Sequence, residues 1–139
     1  MFPGSLATGL TALLAMAIGL STAPVDLRII DSKGAEVVVA AAAVDYGGML
    51  LADRDLEGIR LQQGDGTVLA KWATIDTLRI TKVDESTRPA TITVEVVTRD
   101  GKRRTATLLE KGRMLVTGKT DLGEYSIDLK KVRTIIPVR

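Results

Sequence analysis

The chain has 139 residues, 45% hydrophobic and 26% charged, with a formal net charge of +2, so it can form one ordinary domain or two very small ones around a packed core. It contains no His and no Cys, which excludes disulfides, zinc sites of the usual Cys/His kind and triads built on a histidine base. Carboxylates, Lys and Tyr remain as catalytic groups, but we find no catalytic constellation of them. We therefore predict a protein that is not an enzyme and that needs no cofactor.

The N-terminal segment is uncharged, since no charged side chain precedes Asp26. Within it, the apolar run Leu10–Leu20 is followed by the small residues 21–23, a pattern typical of a secretory signal peptide. No Lys or Arg precedes the run, and Pro24 would follow a cut at Ala23, so an uncleaved anchor and a buried helix remain alternatives. We predict an apolar helix in residues 1–23, serving as signal peptide or N-terminal anchor, and a secreted, periplasmic or cell-envelope location. Membrane contact is expected only through this segment, if it is uncleaved.

The next segment has the pattern of a β-hairpin. Val25–Asp31 is predicted as a strand, Ser32–Gly34 as a turn and Ala35–Val44 as a second strand. The four successive alanines of the second strand prefer helix, so a short helix is the alternative there. The valines that precede them favour strand.

A second hairpin follows the same plan. Thr91–Arg99 alternates apolar and polar residues, Asp100-Gly101 is a tight-turn dipeptide, and Lys102–Glu110 returns. This hairpin aligns with the first without a gap, which places Gly101 on Gly34. The alignment indicates an internal repeat.

The later parts of the two units also align, although a segment inserted in the first unit changes the offset. The stretch 66–80 then matches the stretch 123–137, with Trp72 on Leu129 and Ile75 on Val132. The segment Gln62–Gly66 lacks the Lys-Ser/Thr of a phosphate-binding loop and is predicted as a hairpin turn. Because its repeat partner is Leu129, Trp72 is predicted to lie in the core rather than to stack on a sugar. The side chains predicted to be mostly buried are Ile29, Val38, Leu61, Trp72, Ile75, Leu78, Val94, Val96, Ile127, Leu129, Val132 and Ile135.

These patterns predict an all-β fold of two tandem small β-barrel or β-sandwich repeats after the N-terminal apolar helix. The first repeat spans 24–82, a polar linker spans 83–89, and the second repeat spans 90–139. The closing segments Trp72–Leu78 and Leu129–Ile135 share an apolar-x-x-apolar-x-x-apolar pattern. In this the chain resembles tandem small SH3-like or Sm-like β-barrel modules of uncharacterised secreted bacterial proteins. The resemblance implies a short 3₁₀ turn before each final strand, and it carries over no functional residue.

One acidic segment partly matches a calcium-binding loop. Asp53, Asp55 and Glu57 alternate and precede Gly58, as at the start of an EF-hand loop. The twelfth position is Gly64 instead of Glu, and Arg54 places a cation inside the loop. A solvated loop is therefore the preferred interpretation, with a calcium site as the alternative.

Positive charge is concentrated towards the C-terminus. Residues 24–82 hold 7 Lys and Arg against 9 Asp and Glu, whereas residues 83–139 hold 12 against 8. The candidate contacts for an anionic partner are Lys102, Arg103, Arg104, Lys111 and Arg113. An ordinary solvated surface is the preferred interpretation, and an anionic envelope partner such as a lipid headgroup or an acidic polysaccharide is the alternative. Nucleic acid is the least favoured partner, because stacking aromatics are nearly absent from this half.

The sequence thus predicts an exported, non-enzymatic binding or structural module of the bacterial envelope or exterior that contacts a protein partner. Exposed edge strands or a concave seam would form its binding surface. The alternative is an accessory module that binds carbohydrate or an anionic polymer through its basic C-terminal half.

Overall fold

The structure is a computed structural model, and it describes residues 25–46, 56–109 and 113–138. The predicted signal segment, residues 1–23, lies outside the described residues. Within the described residues there are ten strands and two single-turn 3₁₀ helices, Trp72–Thr74 and Leu129–Lys131. The strands are β1 (Leu27–Asp31), β2 (Glu36–Asp45), β3 (Gly58–Gln63), β4 (Gly66–Lys71), β5 (Ile75–Asp84), β6 (Thr91–Thr98), β7 (Arg103–Leu109), β8 (Leu115–Thr120), β9 (Gly123–Asp128) and β10 (Val132–Pro137).

All ten strands form one antiparallel sheet in the order β4-β3-β7-β6-β5-β10-β1-β2-β8-β9, curled into a half-barrel. The prediction of an all-β fold is confirmed. The sequence predicts two barrels or sandwiches placed one after the other, whereas the structure has a single continuous sheet. Strand β3 pairs with β7 through Gln62 and Thr107, and β2 pairs with β8. Each of these ladders crosses the predicted boundary between the two units.

The registers on the two sides of the sheet correspond closely. If β1 changes places with β6, β2 with β7, and so on to β5 with β10, the strand order of the sheet reads the same from the opposite edge. The pair Leu27–Val39 between β1 and β2 corresponds to Val94–Ala106 between β6 and β7. Both hairpin turns use a glycine with positive φ, 87° at Gly34 and 86° at Gly101, a conformation that glycine adopts without strain.

The core lies on the inner face of the curled sheet and is aliphatic apart from Trp72. Alternate residues of the central strands point inward, as expected for a sheet with one buried face. Val38, predicted to be buried, is instead 49% exposed, because it lies between the inward-facing Val37 and Val39. Ile127 is only partly buried against the core. The largest completely buried side chains are Trp72, Leu27, Ile29, Ile59, Ile75, Leu78, Ile92, Leu129, Ile135, Val39, Val44 and Val94.

The alanine-rich segment is the long strand β2, so the strand prediction is confirmed. Its pairing with β8 is interrupted between Ala40 and Ala43, and Ala41 has a φ of 51°. Gly118 on β8 faces this bulge. A Cβ there would overlap Val39 and lie 2.7 Å from the carbonyl oxygen of Ala40. Small residues on both strands therefore permit the close approach at this bend.

The predicted linker at residues 83–89 is a hairpin connection. Strand β5 extends to Asp84, which pairs with Thr91 at the start of β6. The side chain of Asp84 accepts a hydrogen bond of 3.0 Å from the backbone amide of Ser86. The polar residues thus turn the chain within one sheet, since β5 and β6 are adjacent strands.

Candidate functional site

The predicted basic residues lie on exposed positions, but several of them are ion-paired. Lys102, Arg103 and Arg104 are exposed at the β6–β7 hairpin. Arg103 and Arg79 both lie 3.1 Å from the same carboxylate oxygen of Glu95. The ammonium of Lys102 lies 3.7 Å from Asp100. Acidic neighbours therefore offset part of the positive charge on this hairpin.

The remaining two basic candidates belong elsewhere in the chain. Lys111 lies outside the described residues, and Arg113 is exposed just before β8. In the order of the sheet, five strands separate β7 from β8. Arg113 and the hairpin arginines therefore belong to parts of the sheet that are not adjacent in the strand order.

The calcium-loop candidates fall mostly where the structure gives no description. Asp53 and Asp55 lie outside the described residues, and Glu57 comes directly before β3. Among residues 25–46, 56–109 and 113–138, no group of three or more acidic side chains is arranged to hold a metal ion. The calcium site stays a prediction.

Trp72 belongs to the core, as predicted. Its side chain is completely buried in the 3₁₀ helix between β4 and β5. Its indole N–H has no hydrogen-bond partner within the described part of the chain. With its ring enclosed, Trp72 has no face on which a sugar can stack in this structure.

A contact between Tyr46 and Arg60 is one that sequence reasoning missed. The Tyr46 hydroxyl accepts a 2.8 Å hydrogen bond from the backbone amide of Arg60, and the Arg60 guanidinium lies 4.7 Å from the centre of the ring. The contact joins the end of β2 to β3 across the undescribed residues 47–55. No local pattern signals it, because the two residues belong to different hairpins.

A shallow depression near the second 3₁₀ helix collects charged residues. It is lined by Val83, Glu85, Asp128, Lys130 and Lys131. The Lys130 ammonium lies 3.5 Å from Glu85, and the carboxylate of Asp128 accepts a 3.0 Å hydrogen bond from the Lys130 amide. Both carboxylates thus have structural partners.

The two outer strands are the remaining candidate for a binding surface. Strand β4 pairs with β3 and strand β9 with β8, and each ends the sheet within the described residues. An outer strand presents main-chain N–H and C=O groups to which another extended chain can add. Natural sheets usually protect such edges with charges, prolines or bulges.

The β4 edge has few of these protective features, and its one charged residue, Lys71, stands at its end. Residues 67–70 carry no charge and no proline, and the β3–β4 ladder runs without a bulge from Gly58–Lys71 to Gln63–Gly66. Val68 is 39% exposed and lies opposite the buried Leu61. Strand β9 instead carries Glu124 and Asp128. Of the two edges, β4 therefore carries the fewer charges.

The hairpin geometry determines which groups of β4 face outward. A two-residue turn, Gly64-Asp65, connects β3 and β4, so Gln63 and Gly66 form the first hydrogen-bonded pair. Hydrogen-bonded pairs alternate along an antiparallel ladder. Val68 and Ala70 consequently bond to β3, whereas Thr67 and Leu69 direct their N–H and C=O groups away from the sheet.

In comparisons with known proteins, no family model, no curated protein and no solved structure matches the chain.

Among the described residues, no helix is both long enough and apolar enough to cross a membrane.

Proposed function

We propose that the protein is an exported, non-enzymatic binding module that takes an extended segment of a protein partner as an additional strand along β4. The observation that carries this proposal is the contrast between the edges. Residues 67–70 of β4 are uncharged, whereas the corresponding residues 124–127 of β9 include Glu124, and each strand ends on a charge, Lys71 in β4 and Asp128 in β9. An unprotected edge carries a risk of aggregation, and it is compatible with a stable protein when a partner covers it.

The chemistry of the edge defines what it would bind. Thr67 and Leu69 offer two donors and two acceptors in the spacing of a strand, and hydrogen bonds of this kind contribute about 0.5–1.5 kcal/mol each. Val68 is 39% exposed and lies opposite Leu61, on the inner face. A partner strand with an apolar residue beside Val68 would extend the core by one side chain. The ligand class is therefore an extended peptide with alternating apolar residues.

The proposal includes an internal duplication of the chain. Its support is that strands five places apart in the chain pair in the same register. For example, the pair Ala40–Lys119 between β2 and β8 is equivalent to the pair Thr107–Gln62 between β7 and β3. A 3₁₀ helix precedes both β5 and β10, as the resemblance to SH3-like or Sm-like modules implies. In this interpretation the segments β3–β5 and β8–β10 are exchanged between the two units.

Export and the absence of catalysis rest on the sequence. Residues 1–23 have the pattern of a signal segment, and a chain without His and Cys lacks the commonest general base and thiol nucleophile. N-terminal sequencing of the protein from the producing cell should give a first residue between positions 18 and 24. An intact Met1 in a soluble cytoplasmic fraction would contradict export.

A library of random peptides tests the binding function. Selection should enrich sequences that alternate apolar and polar residues, and their binding should protect the amides of Thr67 and Leu69 from hydrogen exchange. Thr67→Pro removes an outward donor at an exposed position and should weaken binding at least about tenfold.

Ser126→Pro is the matched control, because Ser126 is the exposed β9 residue that corresponds to Leu69. It should leave peptide binding unchanged. Enriched peptides that bind the Thr67→Pro variant as well as the wild type would refute strand addition at β4.

A further inference from the structure

The charges that flank β4 point to a specific occupant of this edge. We infer that β4 pairs antiparallel with β4 of a second copy of the same chain, around a two-fold axis that passes between the two Val68 residues. This inference rests on the proposed function of the β4 edge and names the partner. Two facts about the strand support it, namely its hydrogen-bonding pattern and the positions of its flanking charges.

The hydrogen-bonding pattern is compatible with this register. With Val68 opposite Val68 of the second copy, Thr67 lies opposite Leu69 and Leu69 opposite Thr67. These are the two residues whose N–H and C=O groups face away from β3, so four main-chain hydrogen bonds form across the axis. Val68 becomes a non-hydrogen-bonded pair with itself, the arrangement in which facing side chains are closest. Its exposed 39% would then be covered by the same residue of the second copy.

The flanking charges are complementary in the same register. Asp65, in the turn before β4, falls opposite Lys71 of the second copy, and Lys71 falls opposite Asp65. Both residues are exposed. Two opposite-charge pairs therefore form at the ends of the shared ladder, and opposite charges facing each other across strands are favourable.

The β9 edge shows that this complementarity is specific to β4. Its corresponding register, centred on Tyr125, places Leu122 opposite Asp128. A shift by one residue, centred on Ser126, places Glu124 opposite Asp128, two like charges. Neither register of β9 provides the paired ends that β4 provides.

The size of the contact predicts a weak dimer. Because β4 has only 6 residues, a ladder formed by one such strand from each copy should bury less than the roughly 1,000 Å² that a stable interface requires. The dimer should therefore dissociate in about the micromolar range. Association should stop at two copies, because each copy uses its one β4 edge for the contact around the two-fold axis.

Sedimentation equilibrium on the full chain, in the form that the cell accumulates, tests the inference over roughly a hundredfold range of concentration. The wild type should change from monomer to dimer. Asp65→Lys and Lys71→Asp should each weaken self-association at least about tenfold, because each places like charges at both ends of the ladder. An equimolar mixture of these two variants should dimerise again, since opposite charges then meet at both ends.

Two edge variants complete the test. Thr67→Pro should abolish dimerisation, and Ser126→Pro on β9 should retain it, with circular dichroism used to confirm that each variant is folded. A wild type that stays monomeric, variants that fail to associate when mixed, or growth of open polymers would overturn self-pairing. A monomeric wild type that still selects peptides in a Thr67-dependent way would overturn self-pairing alone and leave the proposed function standing.

Discussion

Leu78 on β5 and Ile135 on β10 lie directly opposite each other in the sheet, and both side chains are completely buried. They form the centre of the ten-stranded order, where β5 and β10 meet. When β1–β5 change places with β6–β10, Leu78 takes the position of Ile135 and Ile135 that of Leu78, so the pair maps onto itself. The two halves of the sheet are therefore joined through a short ladder whose buried contact is one apolar pair.

Truncation of this pair should destabilise the whole sheet. Leu78→Ala and Ile135→Ala should each lower the free energy of unfolding by about 2–5 kcal/mol, since each leaves a cavity at the junction. The double variant should deviate from additivity by about 0.5–3 kcal/mol, because the residues are in direct contact. Urea unfolding measures all three. Val38→Ala, on the exposed side of β2, is the control and should change stability little.

Trp72 should be the largest single contributor to the core. Trp72→Ala should cost about 3–5 kcal/mol, because the whole indole is enclosed. Leu122 is 96% exposed at the β8–β9 turn, so Leu122→Ala should stay within about 0.5 kcal/mol of the wild type. Chemical denaturation monitored by circular dichroism reports both values. Wild-type stability of the Trp72→Ala variant would contradict the core assignment.

The close approach at the β2 bulge should depend on Gly118. Gly118→Ala would force its Cβ against Val39 and the Ala40 carbonyl, and should lower the free energy of unfolding by about 1–3 kcal/mol. At Gly66 an added Cβ meets the Gln63 carbonyl oxygen at an ordinary 3.6 Å, so Gly66→Ala should be nearly neutral. Equal melting temperatures for the two variants would show that the strands do not approach closely at Gly118.

Two turn carboxylates should titrate at unusually low pH. Hydrogen bonds from the Ser86 hydroxyl and amide lower the pKa of Asp84, and a hydrogen bond from the Thr98 hydroxyl lowers the pKa of Asp100. A carboxyl whose pKa is lower in the folded than in the unfolded protein stabilises the fold above its unfolded pKa of about 3.9. That contribution disappears as the pH falls through the folded pKa.

Carboxyl-detected NMR titration measures both midpoints, which should fall below the ordinary aspartate value. Thr98→Val removes the principal donor to Asp100 and should move that midpoint upward while leaving Asp84 unchanged. A midpoint for Asp100 at or above the ordinary value in the wild type would contradict the turn geometry.

Much of the local structure could be predicted from the sequence. The turn at Asp100-Gly101 follows from dipeptide chemistry, and the strands around it follow from alternating apolar residues. The burial of Trp72 could be predicted because its aligned partner is Leu129. Val38 could not be assigned correctly, because a run of three valines has no alternation from which to infer the face.

Identification of the β4 edge as a candidate site required both the sequence and the tertiary structure. Uncharged residues along β4 are visible in the sequence, but a strand becomes an edge only through the pairing of the others. The basic residues of the β6–β7 hairpin were visible as well. Their pairing with Glu95 and Asp100 required the cross-strand and turn geometry that the structure provides.

By itself, the sequence determined the β class, the hairpins and the aliphatic core. These follow from residue type and short-range spacing. Only the tertiary structure decided that β3 adds to β7 and β2 to β8, so that one sheet forms across both halves. The physical reason is that main-chain hydrogen bonds are the same for every non-proline residue. Strands of similar composition therefore carry little local information about which distant strand they will pair with, and the packing of the complete core selects the partner.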